Sequence, residues 1–572
     1  MAWKPWLGAV PDAGGTHFRV WAPNAQSLGI RLAHGPSLPL SRDGEGYFTG
    51  RAEGVRAGAR YFYRFPDGRE RPDPASLLQP EGVHGPSEVV DLSSIAPRSP
   101  RPRVPLQKLV FCEIHLGTYT QEGTADAAAR HLPELAEALY TAVEVMPVAA
   151  FPGARNWGYD GVAPFAAHAA YGGPPALARF VDAAHAQGLA AFLDVVYNHL
   201  GPEGNYLGEY GPYFTSRHTT PWGDALDFSL APVRRYFVEN ALRWVSRAGG
   251  GFDGLRLDAV HGILDDSPRH ILQEIADAVH GEGGLAIAES DLNDAGLIER
   301  DHLDASWADD LHHAIHVALT GESQGYYADF QDPMPKMAAA IERGWFYEGQ
   351  HKPSFGRRHG TRAAHLRARH FVVCAQNHDQ IGNRARGERL AALTDEGGLR
   401  AAAAVVALQP ALPLYFQGEE WGAKEPFLYF VSHSDPALAE AVRKGRREEF
   451  KAFSWAGEVP DPLAEETFRK SRIDRARKDA AALRWHKALL TLRREHPALQ
   501  DDSRTAVRAS AQGRLLLLRR GSVLLAASFD PHPGEAKLPQ GRWRTLLDSG
   551  AADLRGDLLR MRGRGAVVLE QP

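Results

Sequence analysis

The sequence predicts an α/β protein, a closed (β/α)8 barrel with a small β-sandwich at each end. Eight short apolar runs alternate with amphipathic helical stretches, the pattern of parallel strands covered on their outer side. The chain has 572 residues, beyond the size at which one core stops growing, so more than one domain is expected. Before and after the alternating region the texture changes to short strands and turn residues.

In chain order, residues 1–95 carry HFRVWAP and ARYFYRF between the turn signals DGEG and PDG, which predicts an antiparallel sandwich. APRSPRPRVP, residues 96–105, reads as an extended linker across which little packs, because proline fixes φ and removes donors. The barrel is placed at 106–497, with strands in LVFCEIHLG, AVEVMPV, LAAFLDVVYNH, GLRLDAVH, GLAIAES, LDASWADD, FVVCAQNHD and LPLYFQGEEWG. Six helical stretches are legible between and after them, at TADAAARHLPELAEALY, PPALARFVDAAHAQG, PVRRYFVENALRWVSRAGG, SPRHILQEIADAVHG, GGLRAAAAVVALQPA and KDAAALRWHKALLTLRREH. An insert at about 316–368, rich in Gly, Tyr and His, separates the sixth and seventh strands, and its length marks it as functional or disordered. RLLLLRRGSVLLAASFD and RGAVVLE place a second β-sandwich at 498–572.

Composition narrows the function classes. With 65 basic and 70 acidic residues the formal charge is -5, and no basic block argues for nucleic acid. The start, MAWKPWLGAV, lacks a secretory apolar run, and AAAAVVAL is too short to span a bilayer, so neither a membrane partner nor export is expected. The two cysteines, Cys112 and Cys374, lie in apolar strand-like runs and read as small core groups in a reducing cytoplasm.

The chemistry starts from GFDGLRLDAVH, residues 251–261. Side chains two apart share one strand face, so Leu255 and Leu257 point one way and Arg256 and Asp258 the other. A buried carboxylate beside a buried guanidinium is either a structural ion pair or an active site. Acids and histidines recur where the other strands end: Asp194 and His199, His261, Glu289, Asp309 and Asp310, His378 and Asp379, Glu419 and Glu420. In a closed barrel all of these converge on one mouth. Crowded carboxylates there separate in pKa, the arrangement that glycoside hydrolysis uses.

DVVYNH (194–199), GFDGLRLDAVH, AES (288–290) and NHD (377–379) resemble the four conserved regions of the alpha-amylase family, in family order. EIHLGTYTQEGT, NWGYDGVAPFAAHAAYGGP, AESDLND, WADDLHHAIHVALTGESQGYYADF and QNHDQIGNR are similar, within it, to the maltooligosyltrehalose trehalohydrolases. GTHFRVWAPNAQSLGIRL resembles the immunoglobulin-like amino-terminal sandwich of branching, debranching and trehalohydrolase members. The resemblance implies a TIM barrel that cleaves, with retention, the alpha-1,4 bond next to a terminal trehalose unit, acting on maltooligosyltrehalose and related alpha-1,4-glucans. It implies Asp258 as nucleophile, Glu289 as general acid and base, and Asp379 as the carboxylate that grips ring hydroxyls. The apolar run before Glu289 agrees, since desolvation holds a proton there, and Arg256 favours the charged form of Asp258.

For substrate binding the resemblance implies Tyr159 as platform, with His199, Arg256, His261, Asp309, Asp310, His313, His378, Gln380 and Asn383. Asp194 is expected to support the arginine, and Trp222, Trp307 and Trp421 are candidates for stacking on sugars, against the commoner role of tryptophan as core. Asn198 matches a calcium ligand of some amylases, but no set of oxygen partners accompanies it, so no metal and no cofactor is expected. Three other readings stay open: a branching enzyme that passes the intermediate to a glucan hydroxyl, a non-catalytic glucan-binding member, and metal-assisted hydrolysis through Asp309, Asp310, His312 and His313.

Overall fold

The computed structural model describes residues 3–35, 37–220, 223–452 and 459–571. Eight strands form a closed barrel: β1 (Phe111–Ile114), β2 (Ala142–Val145), β3 (Ala190–Val195), β4 (Gly254–Leu257), β5 (Leu285–Ala288), β6 (Ala305–Trp307), β7 (Phe371–Cys374) and β8 (Leu412–Phe416). Each pairs in parallel with the next, and β8 closes on β1. The period of two sorts the side chains: Cys112, Leu193, Leu255, Leu257 and Val373 face the surrounding helices, while Phe111, Phe192, Ile287, Trp307, Leu412 and Leu414 fill the barrel. At the entrance of β4, Gly254 is required by packing. A Cβ there would stand 2.3 Å from the Phe192 ring and 2.6 Å from the Leu285 carbonyl.

The outer helices include α1 (Gly173–Ala186), α2 (Ala231–Val245), α3 (Ile271–Gly281), α4 (Asp309–Thr320), α5 (Pro333–Arg343), α6 (Glu396–Leu408) and α7 (Ala480–Glu495). The stretch 124–140, read as one helix, is two short pieces, Ala125–Ala129 and Leu132–Glu137. Pro133 explains the break, since its ring clashes with the preceding turn and it has no N–H to continue the ladder.

The insert is not a bare loop. Residues 316–320 finish α4, a 3-10 turn covers Gly325–Phe330, and α5 follows. Residues 345–361 then return to the mouth, with His351–Lys352 paired to Arg357–Arg358.

Two sheets precede the barrel, one built on Gly15–Trp21 and Tyr47–Glu53, the other on Gly29–Leu32 and Arg60–Arg64. Phe18 of the first meets Tyr61 of the second edge to face at 4.9 Å. After the barrel, one sheet includes Leu515–Arg520, Val523–Ser528 and Gly565–Glu570, and a second is Gly534–Lys537, Leu558–Met561 and Ala552–Arg555. Leu517, Leu524, Leu559, Met561 and Val567 share one core between them.

The expectation that little packs across 96–105 is corrected. The segment is extended, as its prolines require, but Arg101 lies across the lower face of the barrel and donates Nη1 to the Glu282 carbonyl at 2.8 Å and Nη2 to that of Phe252 at 2.8 Å. Nη2 also donates to the Val245 carbonyl. One side chain thereby ties together the end of α2, the approach to β4 and the end of α3. Arg101→Ala leaves three carbonyls without their charged donor and should lower stability by about 1–3 kcal/mol, seen as a lower melting temperature. An unchanged melt would contradict this role.

Candidate active site

Arg256 points into the barrel from β4 and is wholly buried. Its Nη1 donates to both oxygens of Asp194 at 2.9 Å and to Oδ1 of Asp258 at 2.6 Å, while Nη2 stands 3.8 Å from Oε2 of Glu289. The register sets this up, because Asp194 and Arg256 are direct partners across β3 and β4. The Trp307 ring lies 4.4 Å beneath the guanidinium carbon and closes its inner side. A guanidinium here is tolerable only with ionised partners, so the barrel needs anions around it. The other oxygen of Asp258 accepts from Nδ2 of Asn198 at 2.8 Å. Both oxygens of Asp258 are thus held by hydrogen-bond donors.

Glu289 follows β5. Burial raises its pKa, Asp258 and Asp379 push the same way, and Arg256 opposes them. Ala259, directly after Asp258, sits in the left-handed region at φ 38°, a strained turn for a residue with a Cβ, and its N–H donates to Oε2 of Glu289 at 2.6 Å. The turn thereby ties the end of the strand that carries Asp258 to the Glu289 carboxyl. Asp379 lies in the short helix His378–Gly382 after β7, its side chain 40% exposed, with Oδ1 3.5 Å from Nε2 of His378. Asp309 opens α4, and burial, then Glu289 and Asp379, pushes it up to about 8. Burial therefore pushes two carboxyls of the mouth, Glu289 and Asp309, above their ordinary range.

Behind this cluster runs a chain of hydrogen bonds. Nδ1 of His378 donates to Oε1 of Glu113 at 2.5 Å, and its backbone N–H donates to Oε2 at 3.0 Å. Burial opposes charge on His378, but Glu113 and Asp379 outweigh it and lift the imidazole to about 9. Its Nε2–H then donates to the Tyr159 hydroxyl at 2.8 Å, which donates to Asp194 at 2.6 Å. The two rings stack with centroids 5.2 Å apart. Nε2–H of His199 donates to the Tyr159 carbonyl at 2.9 Å, and its other ring nitrogen lies against the Asn198 side chain. Glu144, opposite Glu113 in the β1–β2 register, has both oxygens buried without a hydrogen bond among the described residues. Burial, with Glu113 beside it, holds this carboxyl well above its ordinary range. Sequence reasoning missed Glu113, Glu144 and the contact of Asn198 with Asp258. The signal was present for the glutamates, since FCEI and AVEV each place a charge at an inward position, as LRLD does for Arg256.

Asp258, Glu289, Asp379, Asp309, Tyr159, His199 and His378 are brought together. Gln380 and His313 stand beside them around Tyr326, whose hydroxyl donates to Gln380 Oε1 at 3.3 Å and whose ring meets His313 edge-on at 4.9 Å. His261 is at the rim, Nδ1 3.6 Å from Asp291. Asn383 is exposed at the end of its helical turn.

Several expectations need correction. Arg256 has no exposed surface and reaches a substrate only through Asp258. Asp310 turns away from the mouth, because its Oδ2 accepts from Asn293 Nδ2 and from the backbone N–H groups of Phe346 and Tyr347 at 2.7–3.0 Å. His312 donates to the Ala375 carbonyl at 2.7 Å and lies under Tyr327, so the metal reading loses two of its four ligands. No group of three or more metal-binding side chains occurs among the described residues. Glu419 and Glu420 do not join the mouth but line a separate cavity of about 320 Å³ with Tyr415, Trp485 and His486. Trp307 and Trp421 are core, and Trp222 falls outside the described residues.

No family model matches the chain. It is 44% identical to a malto-oligosyltrehalose trehalohydrolase of Deinococcus radiodurans over 90% of this chain and 87% of that one. To the enzyme so named from Saccharolobus solfataricus it is 42% identical, over 85% and 86%. A Salmonella typhimurium protein described as an alpha amylase superposes over 100% of both chains with a TM-score of 0.93 and 37% identity. A branching enzyme of Pseudoalteromonas atlantica matches 45% of this chain and 40% of its own at 28% identity.

The Glu113–His378 pair makes a pH prediction. His378 is raised from 6.5 to about 9, so the stability it contributes is complete below 6.5 and is lost as pH rises through about 9. Thermal melts over that window should show the wild type losing more stability than Glu113→Gln. Parallel curves would contradict the pairing.

Proposed function

The chain belongs to the malto-oligosyltrehalose trehalohydrolase family, and we propose that it performs its glycoside hydrolysis with Asp258, Glu289 and Asp379 around one glucose ring. The observation that carries the assignment is the shared guanidinium of Arg256, which donates to Asp258 at 2.6 Å and stands 3.8 Å from Glu289. Asp258 attacks the anomeric carbon and forms a glycosyl ester. Glu289, protonated because burial raises its pKa, gives its proton to the departing oxygen. The Glu289 carboxylate then takes a proton from water, which attacks the anomeric carbon from the face the leaving group vacated, breaks its bond to the Asp258 oxygen and so frees Asp258 with the original configuration restored. Asp379, open to solvent, accepts from ring hydroxyls, and Tyr159 lies beneath the ring.

The substrate is an alpha-1,4-glucan. Its finer identity, maltooligosyltrehalose releasing trehalose, follows the relatives' name and the motifs AESDLND and WADDLHHA. His199, His261, Asp309, His313, His378, Gln380 and Asn383 line the binding path in this reading. The facing sheets on either side of the barrel support sandwich domains at 1–95 and 498–572 around a catalytic barrel at 106–497. The buried, unpaired cysteines support a cytoplasmic setting, and no described helix is long and apolar enough to cross a membrane.

Asp258→Asn and Glu289→Gln should each lower kcat by on the order of 10³-fold or more while leaving the melting temperature within a few degrees. Wild-type enzyme should release free trehalose from maltooligosyltrehalose. Normal turnover in either variant, or longer branched glucans without trehalose, would overturn the reading.

A further inference from the structure

Away from the mouth, the cavity of about 320 Å³ beyond β8 is lined by polar groups that the reaction scheme does not use. Its wall is built from the turn after β8 and the first turns of α6 and α7. Glu419 accepts from the Phe416 N–H at 3.1 Å and Glu420 from the Tyr140 hydroxyl at 3.4 Å. Neither carboxyl has an ion pair among the described residues, and burial raises both, Glu419 to about 8. Tyr415 and His486, on the same wall, are 1% and 4% exposed, yet the Tyr415 hydroxyl and His486 Nε2 have no hydrogen-bond partner among the described residues. The His486 ring bonds the Ala138 carbonyl, and burial lowers its pKa to about 3. The imidazole is therefore neutral, and its unpartnered Nε2 is an acceptor.

The balance of donors and acceptors says what this wall receives. Its cations are committed elsewhere: Arg400 pairs with Glu396 and donates to the Ser549 carbonyl at 2.7 Å, and Lys424 is exposed to solvent. The helix starts, which an anion would use, are already capped, Asp395 accepting from the Gly398 N–H at 2.8 Å and Asp479 from those of Ala481 and Ala482 at 2.7 and 3.2 Å. What remains is two buried carboxyls without a counterion and a buried acceptor without a donor, each a cost to the fold. An ammonium group answers both, with one charge and three N–H donors. The wall also includes Leu399, Ala402 and Ala403 of α6 and the Trp485 ring of α7, surfaces that suit methylenes. The volume is that of a small-molecule site, and no group of three or more metal-binding side chains occurs here among the described residues.

We propose that this cavity is a binding site for a small aliphatic amine cation, its ammonium received by Glu419, Glu420, Tyr415 and His486 and its methylenes by α6. The site is distinct from the carboxylates that cleave, and it stands or falls independently of the reaction proposed above.

The test is calorimetric titration of 1,4-diaminobutane, and of 1,4-butanediol as its uncharged counterpart, into full-length wild type, Glu420→Gln, Ala403→Leu and Asp379→Asn. Wild type should bind one diamine per chain, and the diol at least tenfold more weakly. Glu420→Gln should weaken the diamine about tenfold by removing charge without changing shape, and Ala403→Leu should weaken it as much by filling the cavity without changing charge. The two variants fail for different reasons, so either one keeps the test informative if the other does not fold. An amine can also meet the carboxylates of the mouth, and Asp379→Asn separates the two places: the one-per-chain binding should persist in it. Absence of diamine binding to wild type, undiminished affinity in either folded cavity variant, binding lost in Asp379→Asn, or a diol that binds as tightly as the diamine overturns the inference.

Discussion

A guanidinium without solvent contact is the constraint around which the molecule is organised. Arg256 is wholly buried, and the barrel repays its desolvation with Asp194 and Asp258 on one nitrogen and Glu289 near the other. Asp194 binds with both oxygens and is buried, which leaves Asp258 and Glu289 as the members of the set toward the mouth. The position of the carboxyl proposed as nucleophile therefore follows from the ion pair's geometry. Removing the cation would leave the Asp194 and Asp258 carboxyls adjacent with no donor between them.

The polarity of the interior extends this logic downward. Most small barrels fill the centre with branched apolar residues, and the lower layers here do so with Phe111, Phe192, Ile287 and Leu414. The upper layer is charged instead. Glu113, His378, Tyr159, Asp194 and Arg256 form one connected series, so a change at Glu113 is felt at Asp258 through four intervening groups. Such networks are rigid when every member is satisfied. Among the described residues Arg256 keeps Nε and Nη2 without a hydrogen bond and Glu144 both of its oxygens, and burial holds the Glu144 carboxyl well above its ordinary range.

The period of two made the barrel legible, since it marks both the greasy outer face of GLRL and the charged inner one. The same period exposes Asp258 and Arg256 but does not say that Arg256 lies too deep for sugar, because depth along the barrel axis depends on the stagger between strands. Asp310 shows a second limit. It adjoins Asp309 in the chain, yet as α4 begins there, successive residues turn by about a third of a helical turn, and Asp310 faces the insert. Glu419 and Glu420 end the last strand as expected but follow a left-handed Gly418, which directs them to the outside of the barrel. The insert was the least legible element, because its helix α5 and its return to the mouth depend on Asp310 and Asn293, contacts that join residues 36 and 54 positions apart.

Trapping the glycosyl ester tests the central claim most directly. A fluorinated maltosyl fluoride, which forms the ester but hydrolyses slowly, should inactivate the enzyme with one sugar bound per chain, and peptide mass mapping should find it on Asp258. A label on Asp379, Asp309 or Glu289, or inactivation with no covalent sugar, would show that the carboxylate held by Arg256 is not the nucleophile.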